Sequence, residues 1–157
     1  MGAKVAFVSH EVQTTRVPVR GIAMRGASQL VFIDTPGIFA PRRRLDRAMV
    51  EAASSTAADA DQVIVLVDAV KGIDDSVERI LAQMKSAKAP CLLALNKVDK
   101  IRKEALLKLT AEMNQRMTFA ATFMVSALDG SGVDDLINYL AERVPKGPWH
   151  YPEDELT

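Results

Sequence analysis

The sequence predicts an α/β domain in three layers: a mostly parallel sheet with helices on both faces. Three observations carry this. Strand-like and helix-like segments alternate through the second half at the spacing of βαβ units. The runs at 62–68 (QVIVLVD) and 91–97 (CLLALNK) are almost wholly apolar, as expected of strands covered on both faces. Polar motifs fall where the strands would end, at Asp34, at 96–99 and at Ser126. In open parallel sheets ligands bind beyond the carboxyl ends of the strands, so placement at three such ends says more than any one short motif.

Taken in order, residues 4–8 (KVAFV) read as a short strand or the end of a truncated element, and 10–16 as a polar loop. Residues 17–24 read as a strand, with Pro18 favouring a sheet edge because it lacks a backbone donor. A turn at 25–28 leads into a second strand at 29–34, close enough to predict a hairpin. A loop with three arginines follows, then an alanine-rich helix at 45–58. Beyond the strand at 62–68, helical periodicity runs through Val77, Ile80, Leu81 and Met84 in 74–87. The strand at 91–97 precedes a helix at 103–117 with Leu106, Leu107, Leu109 and Met113. The last strand is 122–127. The last helix is 132–144, with Val133, Leu136, Ile137 and Leu140 as its apolar face. The tail from Lys146 is Pro-rich and polar, as a linker or terminus is.

With 157 residues, 48% of them hydrophobic, the chain can bury the core of one domain. Its 20 basic and 20 acidic residues cancel, leaving no bulk charge to draw nucleic acid or membrane. A single cysteine, Cys91, excludes a disulfide framework and sits in an apolar run, as a buried thiol would. No apolar stretch approaches the roughly 20 residues of a transmembrane helix, and the start lacks a secretory leader, so a cytoplasmic protein is expected.

The most informative motif is Asn96-Lys97-Val98-Asp99. A carboxylate just past a strand can accept hydrogen bonds from both N1–H and the 2-amino group of guanine, a pair adenine cannot supply. Lys97 would lay its aliphatic stem along the base and Asn96 would brace the adjoining loops. The same residue types also make an ordinary turn after a strand. In Asp34-Thr35-Pro36-Gly37, the aspartate can hold Mg²⁺ through water, and Gly37 lets the backbone approach a terminal phosphate. A plain Pro-Gly turn is the alternative. Ser126-Ala127-Leu128 would set the Ala127 N–H near guanine O6 while Ser126 steadies the loop; any serine after a strand looks similar. Gln13-Thr14-Thr15-Arg16 offers a switch threonine for Mg²⁺, either Thr14 or Thr15, with Thr15 preferred. Otherwise that segment is a solvated loop. His10 and His150 fall in predicted loop and tail, so neither is nominated for acid–base chemistry.

In this order the segments QTTR, FIDTPGIFAPRRRLDRAM, DADQVIVLVDA, LALNKVDK and MVSALDGSGVDDL, with the tail GPWHYPEDELT, resemble the Era family of bacterial ribosome-assembly GTPases, among the TrmE-Era-like GTPases. The resemblance covers residues 2–157. It implies a P-loop GTPase-like fold, binding of GTP and GDP with Mg²⁺, slow GTP hydrolysis, and work on the small ribosomal subunit and its ribosomal RNA. A monomer is expected, and peripheral membrane association comes with the family. By resemblance, Asp34 and Gly37 match the magnesium and terminal-phosphate motif, and Gln13 to Arg16 match the first switch, with Thr14 or Thr15 as its metal ligand. Asn96, Lys97 and Asp99 match the guanine-reading motif, and Ser126 with Ala127 completes the base pocket. Ile38 stands where other GTPases carry a water-positioning glutamine, so no catalytic residue is assigned.

Two family parts are missing from the 157 residues. No G-x-x-x-x-G-K-[ST] occurs, and neither Lys4 nor Lys97 replaces its lysine. The fold is therefore expected to lack its first central strand and its phosphate loop, leaving a gap between the strands at 29–34 and 62–68. Unpaired buried backbone there would be costly. Nucleotide binding is expected to weaken, with little or no hydrolysis. No KH domain follows, so residues 1–145 read as a partial guanine-nucleotide-binding domain and 146–157 as a linker toward an absent KH domain. Arg42, Arg43 and Arg44 read as solvated surface before they read as an RNA contact. The alternative function is a non-catalytic relic or partner-binding module.

Overall fold

The computed structural model describes residues 2–9, 19–25, 28–34, 60–85 and 90–143. The elements run β1 (Gly2–Ser9), β2 (Val19–Arg25), β3 (Ser28–Asp34), β4 (Gln62–Asp68), α1 (Asp75–Met84), β5 (Cys91–Asn96), a 3₁₀ turn (Val98–Lys100), α2 (Lys103–Arg116), β6 (Thr122–Met124) and α3 (Val133–Glu142). They form one six-stranded sheet in the order β2-β3-β1-β4-β5-β6. Only β2 is antiparallel, in the hairpin with β3. The other pairings are parallel, so the carboxyl ends of β1, β3, β4, β5 and β6 share one edge. β2 is an edge strand, as Pro18 just before it led one to expect.

The central position is not vacant. β1 lies between β3 and β4, in register with 29–34 on one side and 62–66 on the other. The expectation of a lost first central strand is thus corrected, while the parallel three-layer class stands. The physical reason is backbone satisfaction. Two interior strands facing a gap would each present a row of unpaired N–H and C=O groups. The run GAKVAFVS can supply the missing ladder whether or not a phosphate loop follows it.

Alternation along β4 builds the two core layers. Val63, Val65 and Val67 point to one face and join Leu93 and Leu95 of β5. Against them pack Val77, Ile80, Leu81 and Met84 of α1 and Leu106, Leu109 and Met113 of α2. Ile64 points to the other face, with Leu92 and Ala94, and meets Leu136 and Leu140 of α3. A two-residue period sends successive side chains of one strand to opposite helical layers. Each leucine fully buried this way contributes about 1.5–3 kcal/mol. Leu107 departs from the sequence reading. It is 53% exposed, because a step of about 100° from Leu106 carries it off the stripe formed by Leu106, Leu109 and Met113. Cys91 is buried, and burial pushes its thiol pKa up.

α1 starts where Asp74 stops the extended chain. Its carboxylate accepts the Val77 N–H at 3.0 Å, and Asp75 and Glu78 add negative charge to the first turn. Among the described residues, no helix is long and apolar enough to cross a membrane. The helix read at 45–58 and the tail from 146 lie outside the described residues.

Candidate functional site

A cleft of about 360 Å³ opens beyond the ends of β5 and β6, lined by Asn96, Lys97, Asp99, Lys100, Ser126, Ala127 and Leu128. Five of these are residues singled out from the sequence, and two separate strand-to-helix connections bring them together. After Asn96 the chain reverses through Lys97, whose backbone is left-handed (φ 65°, ψ 33°), into the turn Val98–Lys100. Lys97 is the only non-glycine residue with positive φ among those described, a conformation costing a side-chain-bearing residue about 1–2 kcal/mol. Strain held at a strand end marks a place where geometry matters more than local comfort.

The two connections are tied to each other. Asn96 Oδ1 accepts the Ala127 N–H at 3.0 Å, and Asp99 Oδ1 accepts the Ser126 hydroxyl at 3.0 Å. The Val98 N–H reaches the Val125 carbonyl at 3.4 Å, and the Val125 N–H donates to the Leu95 carbonyl at 2.8 Å. Asn96 therefore braces the adjoining loops as its position in the motif suggested. Ser126 is 1% exposed, while Asp99 stands at the open mouth. Its loop closes on itself, with the Ser126 N–H on the Ser131 carbonyl at 2.9 Å and the Gly130 N–H on the Ser126 carbonyl at 2.8 Å. A buried hydroxyl thus orients an exposed carboxylate, and that carboxylate retains acceptor capacity for two further donors. The Ala127 N–H, expected near a base oxygen, is engaged by Asn96 in this structure.

Asp68 was not singled out in the sequence. It ends β4 on the same rung as Asn96 and is buried. Its Oδ2 accepts from Lys97 Nζ at 2.7 Å, and its Oδ1 accepts the N–H groups of Val70 at 2.9 Å and Lys71 at 3.3 Å. Burial alone would raise its pKa. The Lys97 ammonium and the two backbone donors outweigh it, so the carboxyl lies below its ordinary 3.8. A signal was present: an apolar strand ending in a polar side chain, as β3 and β5 end in Asp34 and Asn96. A folded value below the unfolded one stabilises the fold above the unfolded value and is lost as pH falls through the folded value. The stability difference between wild type and Asp68→Asn, measured by urea melts, is therefore expected to hold steady between about pH 5 and 7 and to shrink below about pH 4. A difference that persists undiminished at about pH 3 would contradict this.

Asp34 ends β3, paired with Phe7 of β1 and Val19 of β2, on the same sheet edge. Gly37, Thr14, Thr15, His10, His150 and the arginines at 42–44 lie outside the described residues.

A mostly parallel sheet with a cleft at its carboxyl edge, walled by an Asn-Lys-x-Asp turn and a Ser-Ala loop, is the arrangement expected of a guanine-nucleotide-binding domain. Residues 7–146 match the family model of the elongation factor Tu GTP binding domain, and the chain belongs to that family. Within the family its likeness is to GTPase Era. It is 55% identical to GTPase Era of Rhizobium meliloti over 157 residues, all of this chain and 50% of the relative. An Aquifex aeolicus Era variant bound to GDP and AlF4⁻ superposes with a TM-score of 0.88 at 27% identity, covering 99% of this chain and 61% of that one. Era in complex with MgGDPNP and nucleotides 1506–1542 of 16S ribosomal RNA gives 0.88 at 27%, covering 98% and 60%. The chain spans about half the length of the curated relatives it matches.

Proposed function

We propose that this chain is the guanine-nucleotide-binding part of an Era-type GTPase serving assembly of the small ribosomal subunit. The observation carrying the base site is Asp99, held by Ser126 at 3.0 Å at the mouth of the cleft that Lys97 and Ala127 line. The donor set suits a guanine: Asp99 for N1–H and the 2-amino group, the Lys97 stem for the ring face, and the Ala127 N–H for O6 once it leaves Asn96. In the same reading, Asp34 and Thr15 hold Mg²⁺ and Gly37 meets the terminal phosphate. The metal's chemistry when bound is to neutralise phosphate charge. Residues 1–145 form the nucleotide domain, and 146–157 lead toward a KH domain. The partner is the small-subunit ribosomal RNA, with nucleotides 1506–1542 of which a related Era has been crystallised, and the protein acts in the cytoplasm.

The proposal for this chain extends to binding and assigns no hydrolytic residue. These 157 residues hold no G-x-x-x-x-G-K-[ST], the loop whose lysine meets the β- and γ-phosphates, and Ile38 follows Gly37. A second reading is a partner-binding module without turnover. Calorimetric titration of the nucleotide-free chain with GDP and Mg²⁺, against ADP, decides between them. The expected result is GDP binding with ADP at least about tenfold weaker. A folded chain that takes up neither nucleotide would replace the proposal with the second reading.

A further inference from the structure

We propose that Asp68 is a positioning residue that fixes Lys97 as the platform beneath the base. The inference rests on the base site proposed above and adds to it a residue from a different strand.

The Asp68 side chain is 5% exposed and that of Lys97 42%, with 2.7 Å between Oδ2 and Nζ. The carboxylate cannot drift. Its other oxygen is held by the Val70 and Lys71 N–H groups, and the Ala69 N–H donates to the Asn96 carbonyl at 2.9 Å, locking the ends of β4 and β5 together. The left-handed turn at Lys97 places that residue where its side chain reaches back over the end of β4 to this anchor. The ammonium is held by Asp68 while Lys97 also lines the cleft, its aliphatic stem being the part assigned to the base. A lysine whose end is free loses rotamer freedom when a ligand orders it, whereas one already tethered has lost it on folding. Ion pairing at a buried carboxylate here serves preorganisation of an apolar surface and leaves the ammonium no role as a phosphate ligand.

The test uses the 157-residue chain as wild type, Asp68→Asn, Lys97→Met and the double variant. The first readout needs no nucleotide. In ¹⁵N-lysine-labelled protein the Lys97 ammonium, assigned by its loss in Lys97→Met, is expected to show a slowly exchanging signal that vanishes in Asp68→Asn. The second is GDP affinity. Each single change is expected to weaken it about tenfold, and the double variant no further, because both remove the same ordered stem. Persistence of the ammonium signal in Asp68→Asn overturns the proposal. So do additive losses in the double variant, which would mean that Asp68 acts through the Val70 and Lys71 turn. If wild type shows the signal, Asp68→Asn abolishes it and GDP does not bind, the base site fails while the clamp on Lys97 stands.

Discussion

Gly132→Ala is expected to lower stability by about 2–4 kcal/mol, a fall in Tm of roughly 4–16 °C for a domain of this size. Two costs add at this position. Gly132 has φ 76°, where a side-chain-bearing residue pays about 1–2 kcal/mol. A methyl built there would also collide with the Met124 carbonyl oxygen, with the Met124 carbonyl carbon at 3.1 Å and Val125 Cα at 3.4 Å. These are backbone atoms at the end of β6 and cannot rotate aside. The relief available is to push the 124–126 segment away, and Ser126 is the residue that holds Asp99. The variant is therefore expected to weaken GDP binding as well, through a displaced serine. Gly130→Ala is the control. Its φ is 81°, but nothing lies within 4 Å of the added methyl, so only the conformational cost of about 1–2 kcal/mol applies. Thermal melts of the two variants should separate clearly. Equal, small shifts would show that the close approach of α3 to β6 is not a constraint.

The parts of the fold that could be read in advance are those whose physics is local in sequence. The strand at 62–68 was legible because all but its terminal residues are apolar, and the face of α1 because Val77, Ile80, Leu81 and Met84 keep helical spacing. The strand read at 122–127 is regular only over Thr122–Met124, since Ser126 turns into the loop that orients Asp99. The gap expected in the sheet centre was inferred from a missing motif. Backbone ladders, however, do not read motifs, and Gly2–Ser9 closes the sheet with ordinary parallel pairing. Asp68 escaped notice because its role depends on Lys97, 29 positions away, across two strands that only the fold makes neighbours. The left-handed Lys97 was equally hidden, since lysine carries no preference for that region. Asn96, Lys97, Asp99, Ser126 and Ala127 were legible as a set because each follows a strand whose apolar pattern placed it at one edge.

Asp99→Asn is expected to weaken GDP binding about 100-fold, or about 2.7 kcal/mol, while xanthosine diphosphate gains. The carboxylate offers two acceptors to guanine's N1–H and 2-amino group, and charge-assisted hydrogen bonds of this kind are worth about 1.5–3 kcal/mol. An asparagine keeps one acceptor and turns the other into a donor, which then faces the 2-amino donor. Xanthine carries a carbonyl oxygen at that carbon, so the same amide matches it. Geometry makes the substitution clean. Asp99 is exposed at the cleft, and among the described residues its carboxylate accepts the Ser126 hydroxyl, a hydrogen bond that an amide oxygen can still accept. Folding should be nearly untouched, which urea melts will verify beside the binding curves. Paired titrations of wild type and variant with GDP, xanthosine diphosphate and ADP then read the base edge directly. A reciprocal exchange of preference between the first two, with ADP weak throughout, requires Asp99 to touch the base. An equal loss for all three nucleotides would instead mean that Asp99 merely shapes the turn, and unchanged GDP affinity in a folded variant would remove it from the site.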